Sequence, residues 1–179
     1  MTGKAMAALP VEAFVAVGSN IHPETNIPAA LERLARQVEL VGVSPFYWTE
    51  AMGRPDDPDF LNGVAAVRTT VSPRALKFDI LRLIEESLGR LHLDDRLAPR
   101  TIDLDLTLYG DLALDEPGLR LPSDDIARPF VAGPLLELAG DRRLPGCGCM
   151  LSSFCDASAR RALRPASGIT EQLKARFCK

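Results

Sequence analysis

The stretch Pro99-Arg100-Thr101-Ile102-Asp103-Leu104-Asp105-Leu106-Thr107-Leu108-Tyr109-Gly110 decides the fold and points to the chemistry. Polar and apolar residues alternate along it, the two-residue period of a half-buried strand, and a glycine ends it. On that period Thr101, Asp103, Asp105, Thr107 and Tyr109 share one face, while Ile102, Leu104, Leu106 and Leu108 share the face turned to a core. Two ionised carboxylates two residues apart repel each other, and a hard divalent cation with oxygen ligands is their usual neutraliser. An isolated Asp-x-Asp is more often a solvated strand face, so the surrounding sequence has to decide.

Upstream, Phe14-Val15-Ala16-Val17 reads as a buried first strand stopped by the turn-prone Gly18-Ser19-Asn20, a loop that brings backbone close to another group. With Thr25 or Asn26 as cap, Ile27, Ala30, Leu31, Leu34 and Val38 recur at helical spacing, and Pro28 is tolerated in the first turn. Glu39 to Thr49 is rich in Val, Phe, Tyr and Trp and predicts a second strand; Phe60 to Thr70 predicts a third after the loop Ala51 to Asp59. Ser72-Pro73 opens a second helix with Leu76, Ile80, Leu83, Ile84 and Leu88 on one face and Gly89 as its stop. Arg90 to Arg100 has no steady period and carries Asp94, Asp95 and Arg96, so it reads as a loop long enough to act as a lid.

Strand, helix, strand, strand, helix, strand is the order of an α+β fold: a ferredoxin-like βαββαβ sandwich, its helices packed on one sheet face. The sequence then continues as a loop through Leu119-Arg120-Leu121-Pro122, a short helix near Pro134 to Ala139 and a final helical piece around Thr170 to Phe177. The whole chain of 179 residues therefore reads as a single domain, with a core over about 12–140 and a C-terminal helical extension over 141–179.

Hydrophobic content of 46% and charged content of 25% are those of a globular domain, and a net charge of −3 offers no general attraction to nucleic acid or an anionic membrane. An anionic ligand must then be held by a local cluster of cations. No apolar run approaches the ~18 residues of a membrane span, and Met1 to Pro10 lacks a signal-peptide pattern, so a cytoplasmic protein is expected. A monomer is expected too. Cys147, Cys149, Cys155 and Cys178 match none of the common zinc spacings, and free thiols are expected for all of them.

Six pieces in fixed order resemble one family, 6-hydroxymethyl-7,8-dihydropterin pyrophosphokinase, over Phe14 to about Leu138. They are Val17-Gly18-Ser19-Asn20, Thr49-Glu50-Ala51-Met52-Gly53, Asp57-Pro58-Asp59-Phe60-Leu61-Asn62, Ile84-Glu85 with Leu88-Gly89-Arg90, Ala98-Pro99-Arg100-Thr101-Ile102-Asp103-Leu104-Asp105, and Arg128 with Phe130. The resemblance implies Mg2+-dependent transfer of pyrophosphate from the co-substrate ATP to a pterin alcohol. It assigns two Mg2+ ions to Asp103 and Asp105, and a grip on the triphosphate to Arg90 and Arg100. It implies a pterin site made by Gly18, Thr49, Met52, Phe60, Asn62 and Phe130, the two phenylalanines stacking on the ring. Glu85, Ile102 and Arg128 join Arg90 and Arg100 on the nucleotide side. The partners are then small molecules, with no nucleic acid and no membrane.

The sequence departs from the family pattern on the nucleotide side. A Pro-His pair usual after the fourth strand is Pro122-Ser123 here, a frequent basic residue after Arg90 is His92, and a lid position often filled by Trp is Leu97. Arg120 or Arg128 could stand in for the missing cation. Two other readings remain open at this point: a silent paralogue that serves as a pterin-binding module, and a phosphotransferase acting on a related heterocyclic alcohol.

Overall fold

The computed structural model describes residues 9–51, 53–91, 95 and 97–178. The chain runs through β1 (Val11–Ser19), α1 (Pro23–Ala35), β2 (Glu39–Val43), β3 (Tyr47–Thr49) and β4 (Phe60–Thr69). A second helix follows, made of α2 (Pro73–Ala75), a π-helical turn (Leu76–Leu81) and α3 (Arg82–Ser87), and leads to β5 (Asp103–Tyr109). Beyond these lie β6 (Leu114–Glu116), β7 (Leu119–Leu121), a 3-10 turn (Asp124–Ala127), α4 (Pro129–Ala139), a second 3-10 turn (Leu151–Phe154), α5 (Ala157–Ala162), β8 (Arg164–Pro165) and α6 (Ser167–Phe177).

The sheet is antiparallel, with β1 between β5 and β4, and with β2 and β3 both paired to β4. The single strand expected over Glu39 to Thr49 is interrupted at Ser44-Pro45-Phe46. Pro45 has no N–H to give a ladder, and Ser44 replaces the lost pairing: its N–H donates to Val64 O at 2.9 Å and its Oγ accepts from Val64 N at 2.8 Å. With that strand counted once, the spatial order is fourth, first, third, second, which is the βαββαβ arrangement read from the sequence.

Helices cover both sheet faces, where one was expected. Ile27, Leu31 and Leu34 of α1, with Leu76, Leu81 and Ile84, pack on Val15, Val17, Leu61, Leu104 and Leu106. On the opposite face Ala132 and Leu135 of α4, with Leu151 and Cys155, pack on Phe14, Val64, Ala66 and Leu108. A second face that must be covered explains why the chain continues past β5.

Two phase shifts separate the observed packing from the sequence pattern. Phe14 faces Leu108 across the ladder while its neighbour Val15 faces Leu106, so Thr107 is the extra residue of a β-bulge. The bulge reverses the alternation: Tyr109 joins Leu104 and Leu106 in the first core, and Leu108 passes to the second. Thr107 is fully buried, and its Oγ1 donates to Phe14 O at 2.8 Å. In the second helix the π turn inserts one residue per turn, so Leu76, Leu81 and Ile84 are buried, and Leu83, expected inside, is 56% exposed.

The expected loop through Leu119 is the second strand of a β6–β7 hairpin. The C-terminal extension returns to the core: β8 pairs with β3, Leu173 of α6 is buried, and Thr170 Oγ1 accepts from Phe46 N at 2.9 Å. Cys147 and Cys149 are disulfide-bonded, not free, because Gly148 between them takes a left-handed φ of 66° and brings their Cα atoms to 5.3 Å. Cys155 and Cys178 are free thiols. Among the described residues no helix is long and apolar enough to cross a membrane.

Candidate functional site

The face that carries α4 is left uncovered at the end of β1. Gly18 there is flanked by Asn62 of β4 and Asp103 of β5. These three, with Asp105, Arg128 and Phe130, line one cleft. Asp103 and Asp105 precede the bulge, so they keep the orientation that strand alternation gives them, and the first turn of α4 places Phe130 at the cleft.

The apolar and amide side of the cleft is built on strand ends. A Cβ at residue 18 would lie 2.6 Å from Asn62 Oδ1, so glycine is what lets the amide seat over β1, while the Phe60 ring at 3.9 Å would meet it in ordinary contact. Phe60 and Asn62 are two residues apart on β4 and point the same way. Thr49, on the paired strand, accepts from Asn62 Nδ2 through its Oγ1 at 2.8 Å, which fixes the amide with its oxygen toward Gly18. Met52 lies outside the described residues.

The charged side is a set of matched pairs. Arg90, which the second helix delivers just past its end, bonds both Glu85 and Asp103, and Arg100 bonds the other oxygen of Asp103. Lys77 Nζ donates to Asp105 Oδ1 at 2.7 Å, and Ser123 Oγ donates to Asp105 Oδ2 at 2.9 Å. Arg128 Nε lies 3.0 Å from Asp125, and its guanidinium stands 5.9 Å over the Phe130 ring. Burial pushes the Asp125 carboxyl upward, Arg128 pulls it down, and Asp105 and Asp103 add to the rise.

Glu85 is only 5% exposed. Burial pushes its carboxyl up to about 7 against the opposing pull of Arg90 and of the Leu104 N–H, which donates to Oε1 at 2.7 Å. Its carboxylate bonds the Arg90 guanidinium from a buried position. Ile102 is fully buried in the first core, and its side chain contributes nothing to the cleft surface. Arg120 is held on the surface by Asp115 and Asp124, and Leu97 is 51% exposed. His92 lies outside the described residues.

Asn20 is the hub that sequence reasoning passed over. Its Oδ1 accepts from Arg100 N at 2.7 Å, its Nδ2 donates to Pro58 O at 3.1 Å, and its own N–H donates to Arg100 O at 3.1 Å. Ser19 Oγ adds a bond to Thr101 O at 2.6 Å. The close approach expected of Gly18-Ser19-Asn20 is thus to the segment that carries Arg100 and to the loop before Phe60. Arg54 and Asp95 tie those two flanking loops together by an ion pair. The other residues missed, Lys77, Ser123 and Asp125, reach the site from the π turn and the 3-10 turn, and short sequence motifs do not encode such approaches.

Two carboxylates on one strand face fit a hard divalent cation. Among the described residues no group of three or more His, Cys, Asp or Glu is arranged to hold a metal alone. Magnesium needs no such cage: one or two carboxylates, water and substrate phosphates complete its octahedron.

Residues 14–140 match the model of a family described as 7,8-dihydro-6-hydroxymethylpterin-pyrophosphokinase. A 2-amino-4-hydroxy-6-hydroxymethyldihydropteridine pyrophosphokinase of Pseudomonas aeruginosa is 46% identical over 136 residues, 74% of this chain and 83% of the relative. Enzymes of the same description from Haemophilus influenzae and from Synechocystis are each 39% identical. The first match covers 75% of this chain and 86% of that relative; the second covers 72% and 67%.

Proposed function

The chain belongs to the 7,8-dihydro-6-hydroxymethylpterin-pyrophosphokinase family and transfers pyrophosphate from ATP to 6-hydroxymethyl-7,8-dihydropterin in folate synthesis; from that premise we propose how its residues divide the work. The observation that carries the assignment is a shared space. Asp103 and Asp105 line the same cleft as Gly18, Asn62 and Phe130, so phosphate chemistry and recognition of a flat ring meet at one point.

The pterin stacks between Phe60 and Phe130, with Asn62 and Thr49 reading its edge and Met52 offering backbone groups. Its hydroxymethyl oxygen attacks the β-phosphorus of ATP, the bond from that phosphorus to the α-phosphate oxygen breaks, and AMP leaves. Positioning and charge neutralisation dominate such a transfer. Asp103 and Asp105 would hold two Mg2+ ions, which when bound would neutralise charge on the triphosphate and acidify the attacking alcohol. Arg90 and Arg100, both bonded to Asp103, carry planar forks suited to phosphate oxygens and would grip the triphosphate. Arg128 borders the nucleotide side of the cleft, and Glu85 keeps Arg90 in place from beneath. A cytoplasmic monomer is part of the same reading, since both substrates are small and soluble.

The nucleotide product tests the activity. With magnesium, ATP and the pterin alcohol, AMP should accumulate in equal amount to the pterin diphosphate; ADP or an absence of turnover contradicts the reading.

A further inference from the structure

The π turn has a specific consequence for Lys77. In an uninterrupted α-helix Lys77, four residues before Leu81 and seven before Ile84, would fall on the buried stripe with both. The wider turn, in which the Arg82 N–H donates to Lys77 O, gives that inner position to Leu76 and turns Lys77 outward to the flank facing β5. Turns of this kind are rare and concentrate at functional sites. The ammonium lands on Asp105 Oδ1, while Ser123 Oγ, at the position where the family usually has a histidine, occupies Oδ2.

Each oxygen of Asp105 thus carries one protein donor, and a metal on this carboxylate comes within close range of the Lys77 ammonium. The ammonium is the donor that leaves: like charges repel, and its four-carbon stem swings freely where the short serine cannot. Lys77 also lines a second pocket beyond Asp105, whose other charged groups are Arg120, paired with Asp115 and Asp124, and the carboxylates of Glu116 and Asp125. A metal that drives the ammonium off Asp105 brings the nucleotide's phosphates to the same carboxylate, within reach of the lysine stem. Resting on the reading of the activity given above, we propose that Lys77 is a triphosphate-binding residue of this chain, parked on Asp105 until the metal–nucleotide enters, and that it replaces the cation lost at Ser123.

The proposal predicts effects of opposite sign on two ligands. Replacing Lys77→Met removes the competitor on Asp105, so binding of Mn2+ alone, read by electron paramagnetic resonance, should tighten. Binding of an ATP analogue with a methylene between its α- and β-phosphates, read by calorimetry in excess magnesium, should weaken about 10-fold or more, the scale of one charge-assisted bond. Lys77→Arg should restore most of the nucleotide affinity, and thermal unfolding should show that both variants are folded. A lysine that merely braced the carboxylate would weaken both ligands together. That result, or unchanged nucleotide affinity in Lys77→Met, overturns the proposal alone. A wild-type chain that binds no nucleotide analogue overturns the assigned activity along with it.

Discussion

Asn62 Oδ1 lies 2.6 Å from the place where a Cβ on residue 18 would stand, so the amide proposed to read the pterin edge is seated there only because residue 18 is glycine. Thr49 Oγ1 holds the other end of the amide at 2.8 Å. The Thr49 bond thus holds the amide in its seat before any ligand arrives, and such preorganisation lowers the ordering cost of binding.

Gly18→Ala should push the Asn62 amide out of that seat without unfolding the sheet, because the clashing atom ends a short, movable side chain. Pterin affinity should fall about 10-fold or more, the scale of a lost hydrogen bond with its partner left unpaired. ATP-analogue affinity should stay within about twofold of wild type. Calorimetry with each ligand separates the two, and equal losses would contradict the placement of Asn62.

Asp103→Asn or Asp105→Asn should lower turnover by at least ~10²-fold, on the scale of losing a major electrostatic stabiliser. The Asp103 variant also leaves Arg90 and Arg100 without the carboxylate both now bond. Steady-state kinetics at saturating magnesium checks this, and near-wild-type turnover in both variants would remove the metal assignment.

Arg100→Ala and Phe130→Ala should separate chemistry from ring recognition. Arg100 bonds Asp103, the proposed metal ligand, through its guanidinium, so its loss should reduce kcat more than pterin affinity. Phe130 presents a ring at the cleft rim, so its loss should weaken pterin binding by about 1 kcal/mol or more and disturb kcat less. Equal effects on both quantities in both variants would mean that the roles are misassigned.

Glu85 makes stability depend on pH. The folded chain holds its proton more tightly than the unfolded chain, so this group favours the native state at low pH and loses that contribution as pH rises from about 4.5 to about 7. Gln at this position cannot ionise and has no such slope. From pH 5 to pH 8 the stability of Glu85→Gln relative to wild type should rise by roughly 1–3 kcal/mol, read from denaturant unfolding of both proteins. A difference that does not change with pH would contradict the raised carboxyl.

The order of the elements and the acidic pair were legible because they rest on local patterns: the period of two through Asp103, Leu104 and Asp105, and the caps and turns around it. What escaped depends on how distant segments meet. One extra residue at Thr107 sends Leu108 and Tyr109 to faces opposite those that alternation assigns. One extra residue in the second helix buries Leu81, leaves Ile80 partly buried and Leu83 exposed, and turns Lys77 to Asp105. The sequence carries no local mark of either insertion, since each is decided by the partner it packs against. Ser123 looked like a loss when read as a missing histidine; in the fold it is a hydroxyl donor on Asp105. Asn20 could be quoted as part of a motif, yet its three bonds run to segments 38 and 80 residues away.

The most direct measurement follows the β-phosphorus. ATP labelled at that atom, incubated with magnesium and the pterin alcohol, should pass its label to the pterin product at a rate that Asp103→Asn lowers at least ~10²-fold. Label retained in ADP, or transferred to pterin at the same rate by wild type and variant, would contradict the assignment of pyrophosphoryl transfer to this cleft.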